Sequence, residues 1–195
     1  MKLSASFLTV LLLLAFGIAA PPLAAQQSCT APAFTPSTRV FNMFNERQEM
    51  DLGDAVAEQM QRDFRVIDDQ VTENLQRIGD RLTARLPKSD MHYRFMLVDV
   101  PEANAFTLAG GRIYVTRKLV ALTQDEDELA GVLGHELGHN LMRDLSIRFT
   151  ELFNKVLGVK QVGDRKDIFE KYNLFLDNVR SKPGAIKEKD REERE

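Results

Sequence analysis

At 195 residues, with 29 acidic against 26 basic side chains and a net charge of −3, the chain is long enough for one domain with a real core. The balance of charge, with no basic stripe interleaved with aromatics, argues against a nucleic-acid partner. Cys29 is the only cysteine, which excludes an internal disulfide in any compartment.

The first 25 residues have the pattern of an export signal. Lys2 supplies a positive start, Phe7 to about Ile18 an apolar run, and Leu23-Ala24-Ala25 a small-residue exit. The run is shorter than the roughly 20 residues a spanning helix needs, and Pro21-Pro22 follow it. An exported protein of the periplasm or cell envelope is therefore expected, with residues 26–44 as a flexible leader. Gln26-Gln27-Ser28 is a poor context for lipidation, so Cys29 is expected to be a free thiol.

Helical periodicity runs from about Asn45 to Phe64, with Leu52, Val56 and Met60 on one face. It runs again from about Asp68 to Leu86, with Val71, Leu75, Ile78 and Leu82 in step and Pro87 as the stop. Both helices are expected to pack the core and to carry no chemistry. Tyr93–Val98 reads as a strand closed by Pro101, and Asn104–Leu108 and Arg112–Thr116 as two strands about a Gly110-Gly111 turn. His92, alone at the start of the first strand, is read as a surface or packing residue rather than a ligand.

Thr123, with Glu126 three residues on, has the spacing of a capping box that starts a helix through Leu129, Val132 and Leu133 and past His139. Gly131, Gly134 and Gly138 each cost about 1 kcal/mol against alanine inside that helix, which predicts close packing or close approach of another backbone. An amphipathic segment then reaches Leu157, and Gly158 and Gly163 bracket a loop. A helix from about Asp164 to Arg180, a turn at Ser181–Gly184 and a charged helical tail complete the chain. The expected fold is α+β and mostly helical, a single domain over 45–195 with the His139 helix beside a small sheet.

Two of the three histidines fall within five residues, in His135-Glu136-Leu137-Gly138-His139. Residues four apart on a helix share a face, so both imidazoles can reach one metal ion. A catalytic zinc takes three protein ligands and keeps one position open for water. Glu136 leaves the helix at a neighbouring angle, where it can act on that water as general base without being a ligand. The expected cofactor is one Zn²⁺ per chain, with His135 and His139 as two of its ligands.

The third ligand is less legible. A metzincin would continue with glycine and histidine where Met142 and Leu145 stand. A thermolysin-like spacing would put glutamate near Gly158 and Val159. Glu151 is too close along the same helical path to fold back, and Glu170 lies on a helix whose apolar face is the core.

Asn104-Ala105-Phe106, Gly110-Gly111-Arg112-Ile113-Tyr114-Val115-Thr116 and the run from Asp127 to His139 resemble the CAAX-prenyl-protease and heat-shock-protease family of gluzincins, peptidase family M48. The likeness extends back through Glu46–Gly53 and is strongest to exported bacterial members. The resemblance implies a zinc-dependent endopeptidase, often serving quality control of envelope proteins. Its partners would be a polypeptide substrate and, peripherally, a membrane surface. It also implies a third ligand in a downstream Glu-x-x-Ala-Asp pattern. Were Ala-Asp to follow Glu195, that pattern would place the ligand on Glu193, and the 195 residues read as the amino-terminal part of a longer protease. Extended substrate would pair along the edge strand at Asn104 and Ala105.

Two departures stand out. Asp144 occupies a position where the family often has histidine. The aspartate that supports a zinc-bound histidine, and the residue that stabilises the oxyanion, would lie past Glu195. The rival reading is a catalytically incomplete protein of the envelope that keeps the scaffold for binding or chaperoning.

Overall fold

The computed structural model describes residues 40–181; the expected export signal, most of the expected leader with Cys29, and the charged tail with Glu193 lie outside that range. Helix α1 (Glu46–Met60) opens with a reciprocal capping box. Asn45 accepts from the Gln48 amide while the Gln48 side chain accepts from the Asn45 amide. The helix ends at Met60, four residues short of the expected Phe64, because the chain turns there to enter strand β1 (Arg65–Ile67). Three residues are too few for a period-2 pattern to show, so nothing in the sequence pointed to β1. Helix α2 (Gln70–Thr83) is capped by Asp69, which accepts from Val71 and Thr72 amides.

Strands β2 (Arg94–Asp99), β3 (Ala105–Leu108) and β4 (Arg112–Thr116) join β1 in a mixed sheet of order β1-β2-β4-β3. β3 and β4 form the expected hairpin, with Ala105 opposite Val115 and Leu108 opposite Arg112. Gly110 and Gly111 make its turn at φ of 73° and 80°, a left-handed geometry that disfavours any residue with a Cβ. β2 and β4 run parallel, with Phe95 opposite Ile113 and Leu97 opposite Val115.

Strand alternation divides the core in two. Phe95, Leu97, Ile113 and Val115 point to one face, with Leu75 and Ile78 of α2 and Leu129, Leu133 and Leu137 of helix α4 (Glu126–Leu141). Val98, Leu108 and Tyr114 point to the other. There they meet Leu52 and Val56 of α1, Phe149 and Phe153 of helix α5 (Asp144–Leu157), and Ile168, Tyr172 and Phe175 of helix α6 (Arg165–Ser181). Covered on both faces, β4 is buried at every position. Each fully buried aliphatic or aromatic side chain contributes about 1.5–3 kcal/mol relative to exposure. Gly79 permits the tight α2–β2 contact, since a Cβ there would collide with the Phe95 ring.

Two local expectations change in front of α4. A short helix α3 (Arg117–Leu122) follows β4 directly, and Thr123 closes it, its hydroxyl donating to the Val120 carbonyl. With Thr123 occupied, Asp125 caps α4 by accepting from the Glu128 amide, and the Glu128 carboxylate accepts from the Gln124 amide. The cap therefore lies two residues later than the Thr123–Glu126 spacing suggests. Glu126 instead receives Arg77 and Arg81 of α2, tying the two helices together.

Candidate metal centre

One turn of α4 presents His135 and His139 on its exposed face. Their Nε2 atoms are 3.2 Å apart, with the rings nearly perpendicular at 88°. Two nitrogens held at 2.0–2.1 Å from a tetrahedral zinc would be separated by about 3.3–3.4 Å, so this pair fits a single ion. Among the described residues, no cluster of three or more His, Cys, Asp or Glu side chains arranged to hold a metal is present. Glu151 pairs with Arg148 at 3.4 Å and Glu170 with Lys166 at 3.7 Å, all four side chains largely exposed.

The other nitrogen of His139 has a partner. Nδ1 lies 2.6 Å from the Asp144 carboxylate. That contact assigns the proton to Nδ1, because a carboxylate accepts, and leaves the Nε2 lone pair free for a metal. The residue counted as a departure thus stands behind His139 as a carboxylate partner.

Glu136 is 8% exposed, and no hydrogen bond or ion pair engages its carboxylate among the described residues. Burial pushes this carboxyl above the ordinary glutamate value of 4.5, and the nearby His139 and His135 pull in the opposite direction. A free, desolvated carboxylate beside two imidazoles is a competent proton acceptor.

Sequence reasoning missed Asn140. It is 8% exposed and joins α4 to the β3–β4 hairpin through three bonds. Its amide donates to the Leu108 carbonyl at 2.7 Å and Thr107 Oγ1 at 3.0 Å, and its carbonyl accepts from the Gly111 amide at 3.2 Å. The available signal was its register, since 133, 137 and 140 share the buried face of α4.

Asn104 and Ala105 sit at the start of β3, the edge strand. The Asn104 carbonyl accepts from the Thr116 amide and its own amide donates to Thr116 Oγ1. α4 packs on this same strand, so the fold brings the edge and the histidine helix side by side. His92 bonds the Asp90 carbonyl and lines a cavity of about 480 Å³ with Asp51, Asp54 and Arg112, remote in composition from the motif. The helix glycines do not behave as expected. A Cβ at Gly131, Gly134 or Gly138 would meet no atom within 4 Å among the described residues, so no described backbone approaches them.

A helix-borne pair of histidines beside a mixed sheet is the arrangement of a metallopeptidase domain, and comparison with known proteins bears this out at the level of the family. The family model for Peptidase family M48 matches residues 69–181, more than half of the chain, and the chain belongs to that family, whose members are typically zinc-dependent.

Similarity extends to the beta-barrel assembly-enhancing protease of Yersinia pestis, 35% identical over 100 residues that make up 51% of this chain and 21% of that protein. The beta-barrel assembly-enhancing protease of Escherichia coli K12 is 29% identical over 125 residues, 60% of this chain and 26% of that protein. A Protease HtpX homolog of Pyrobaculum aerophilum is 43% identical over 77 residues, 37% and 21% of the two chains. The chain thus spans about a quarter or less of the length of these relatives. No helix among the described residues is long and apolar enough to cross a membrane.

Proposed function

We propose that this chain is a zinc-dependent metalloendopeptidase that hydrolyses polypeptides in the cell envelope, in the service of protein quality control. Residues 45–195 are the amino-terminal part of its protease domain, behind an export signal at 1–25 and a leader at 26–44. The observation that carries the reading is the convergence of His135 and His139 Nε2 at 3.2 Å with Asp144 behind His139. Family membership and the names of the beta-barrel assembly-enhancing relatives support the class of substrate and the compartment.

In this reading His135, His139 and Glu193 hold the metal. Zinc, when bound, supplies a Lewis acid that acidifies water and polarises a carbonyl. Glu136 accepts one proton from water as its oxygen joins the peptide carbon, then returns that proton to the nitrogen as the C–N bond breaks. The second proton of that water also passes to the nitrogen, so the products are one carboxylate and one ammonium group, and Glu136 ends as it began. Asp144 keeps the His139 proton on Nδ1 throughout. The outer edge of β3 from Ala105 onward offers backbone groups to an extended substrate, whereas the Asn104 amide and carbonyl are both held by Thr116.

The test is metal content. Purified protein should carry close to one zinc, and His135→Ala or His139→Ala should lose most of it. Equal zinc in wild type and both variants would remove the site. Zinc bound without any cleavage of casein, with Glu136 intact, would instead favour the incomplete, chaperone-like reading.

A further inference from the structure

Between α4 and α5 the backbone breaks at a single residue. Met142 closes α4 in a right-handed conformation, and Arg143 turns left-handed at φ 62°, ψ 28°. Arg143 is the one non-glycine residue with positive φ among the described residues. An arginine is sterically disfavoured there relative to glycine, and its side chain makes no capping bond to α5.

The side chain runs back to α1 instead. Nε donates to Glu49 Oε1 at 2.7 Å, and Nη2 donates to the Phe44 carbonyl at 2.6 Å. Glu49 is only 2% exposed, and the same oxygen accepts from Asn42 Nδ2 at 3.0 Å and from the Ser146 hydroxyl. Ser146 lies two residues past Asp144 on α5. One buried carboxylate therefore fastens three things at once: the segment before α1, the left-handed residue and the first turn of α5.

The break matters for His139. Were α4 to continue unbroken, residues five apart would be separated by about 500° of rotation, or about 140° around the helix. Asp144 would then face away from the imidazole it now meets at 2.6 Å. Asp144 is itself half exposed and is placed by its backbone. We infer that the Glu49–Arg143 ion pair is a positioning device, which holds the left-handed turn that sets the Asp144 carboxylate against His139 Nδ1. Its consequence for metal binding rests on the zinc reading proposed above.

Two readouts on the full chain separate the inference from that reading. Long-range ¹⁵N–¹H NMR of the metal-free protein reports the tautomer of each of its three histidines. Competition with a chelator reports zinc affinity. Arg143→Gly removes the whole side chain that reaches Glu49 and Phe44, at a residue type that tolerates the left-handed backbone. Glu49→Gln keeps shape and an acceptor but removes the charge, which guards against a glycine variant that fails to fold.

His139 should be protonated on Nδ1 in wild type and should lose that preference in both variants, as in Asp144→Ala. Zinc affinity should fall about 10- to 100-fold. Arg143→Gly combined with Asp144→Ala should bind zinc no worse than Asp144→Ala alone, because both act through one contact. Arg143→Lys, a cation without the fork, should recover part of the loss. Variants at Glu49 and Arg143 that keep the wild-type tautomer, with zinc affinity within about twofold, would overturn the inference. A tautomer lost on cue in a protein that binds no zinc even as wild type would uphold the positioning and remove the zinc reading.

Discussion

His139 and Asp144 meet at 2.6 Å across the break between two helices, and Asp144 reaches only the Nδ1 side of the ring. The contact orients the imidazole and keeps its proton on Nδ1, leaving the opposite nitrogen to face a metal. Asp144→Ala should weaken zinc binding by about 10- to 100-fold. Asp144→Asn retains an acceptor without the charge and should lose less. Chelator competition gives both values, and an alanine variant with wild-type affinity would show the contact to be incidental.

Asn140 is the fastening between the histidine helix and the hairpin that carries the sheet edge. Asn140→Ala leaves the Gly111 amide and the Leu108 carbonyl without their side-chain partner in a buried setting. The loss should be about 2–6 kcal/mol, from roughly 1–3 kcal/mol per unsatisfied buried group. Urea unfolding should show a lower midpoint with an unchanged slope.

Much of this was legible in the sequence because periodicity is a strong signal over long stretches. Val71, Leu75 and Ile78 announced α2, and Gly110-Gly111 between two β-rich runs announced the β3–β4 hairpin. The i, i+4 spacing of the two histidines is by itself enough to mark the candidate metal pair. What stayed hidden depends on tertiary neighbours or on very short elements. β1 and α3 are three and six residues long. Asp125 replaces Thr123 as the cap only because α3 uses Thr123 at its own end. Glu49 is one of two acids in the first turn of α1, and only the fold shows it buried against Arg143, 94 residues away.

The glycines make a contrasting pair of predictions. Gly131→Ala and Gly134→Ala, in the interior of α4 and facing open space among the described residues, should each stabilise by about 0.5–1 kcal/mol. Gly53→Ala should destabilise by about 1–3 kcal/mol, since its Cβ would collide with the Ala109 carbonyl. Thermal midpoints decide both. A loss of stability from the α4 alanines would mean that residues outside 40–181, or a partner, cover that face.

Burial of Glu136 carries a pH signature in the metal-free protein. Its carboxyl titrates above the usual 4.5 when folded, so the folded state holds the proton more tightly than the unfolded chain. By linkage, wild-type stability falls as pH rises from about 4.5 through the raised folded value, and the penalty is complete above it. Glu136→Gln should therefore melt at a higher temperature than wild type at pH 7, and the gap should close as pH drops below 4.5. A gap of constant size across that range would contradict the assignment.

The central claim is that Glu136 moves protons for peptide hydrolysis while the two histidines hold the metal. It is tested most directly by measuring zinc content and casein cleavage together in Glu136→Gln, on a form of the protein with measurable activity. The account predicts close to one zinc per chain, as in wild type, with cleavage reduced by about 100-fold or more. Cleavage at the wild-type rate would contradict the mechanism, and loss of zinc with loss of activity would make Glu136 a ligand rather than a base.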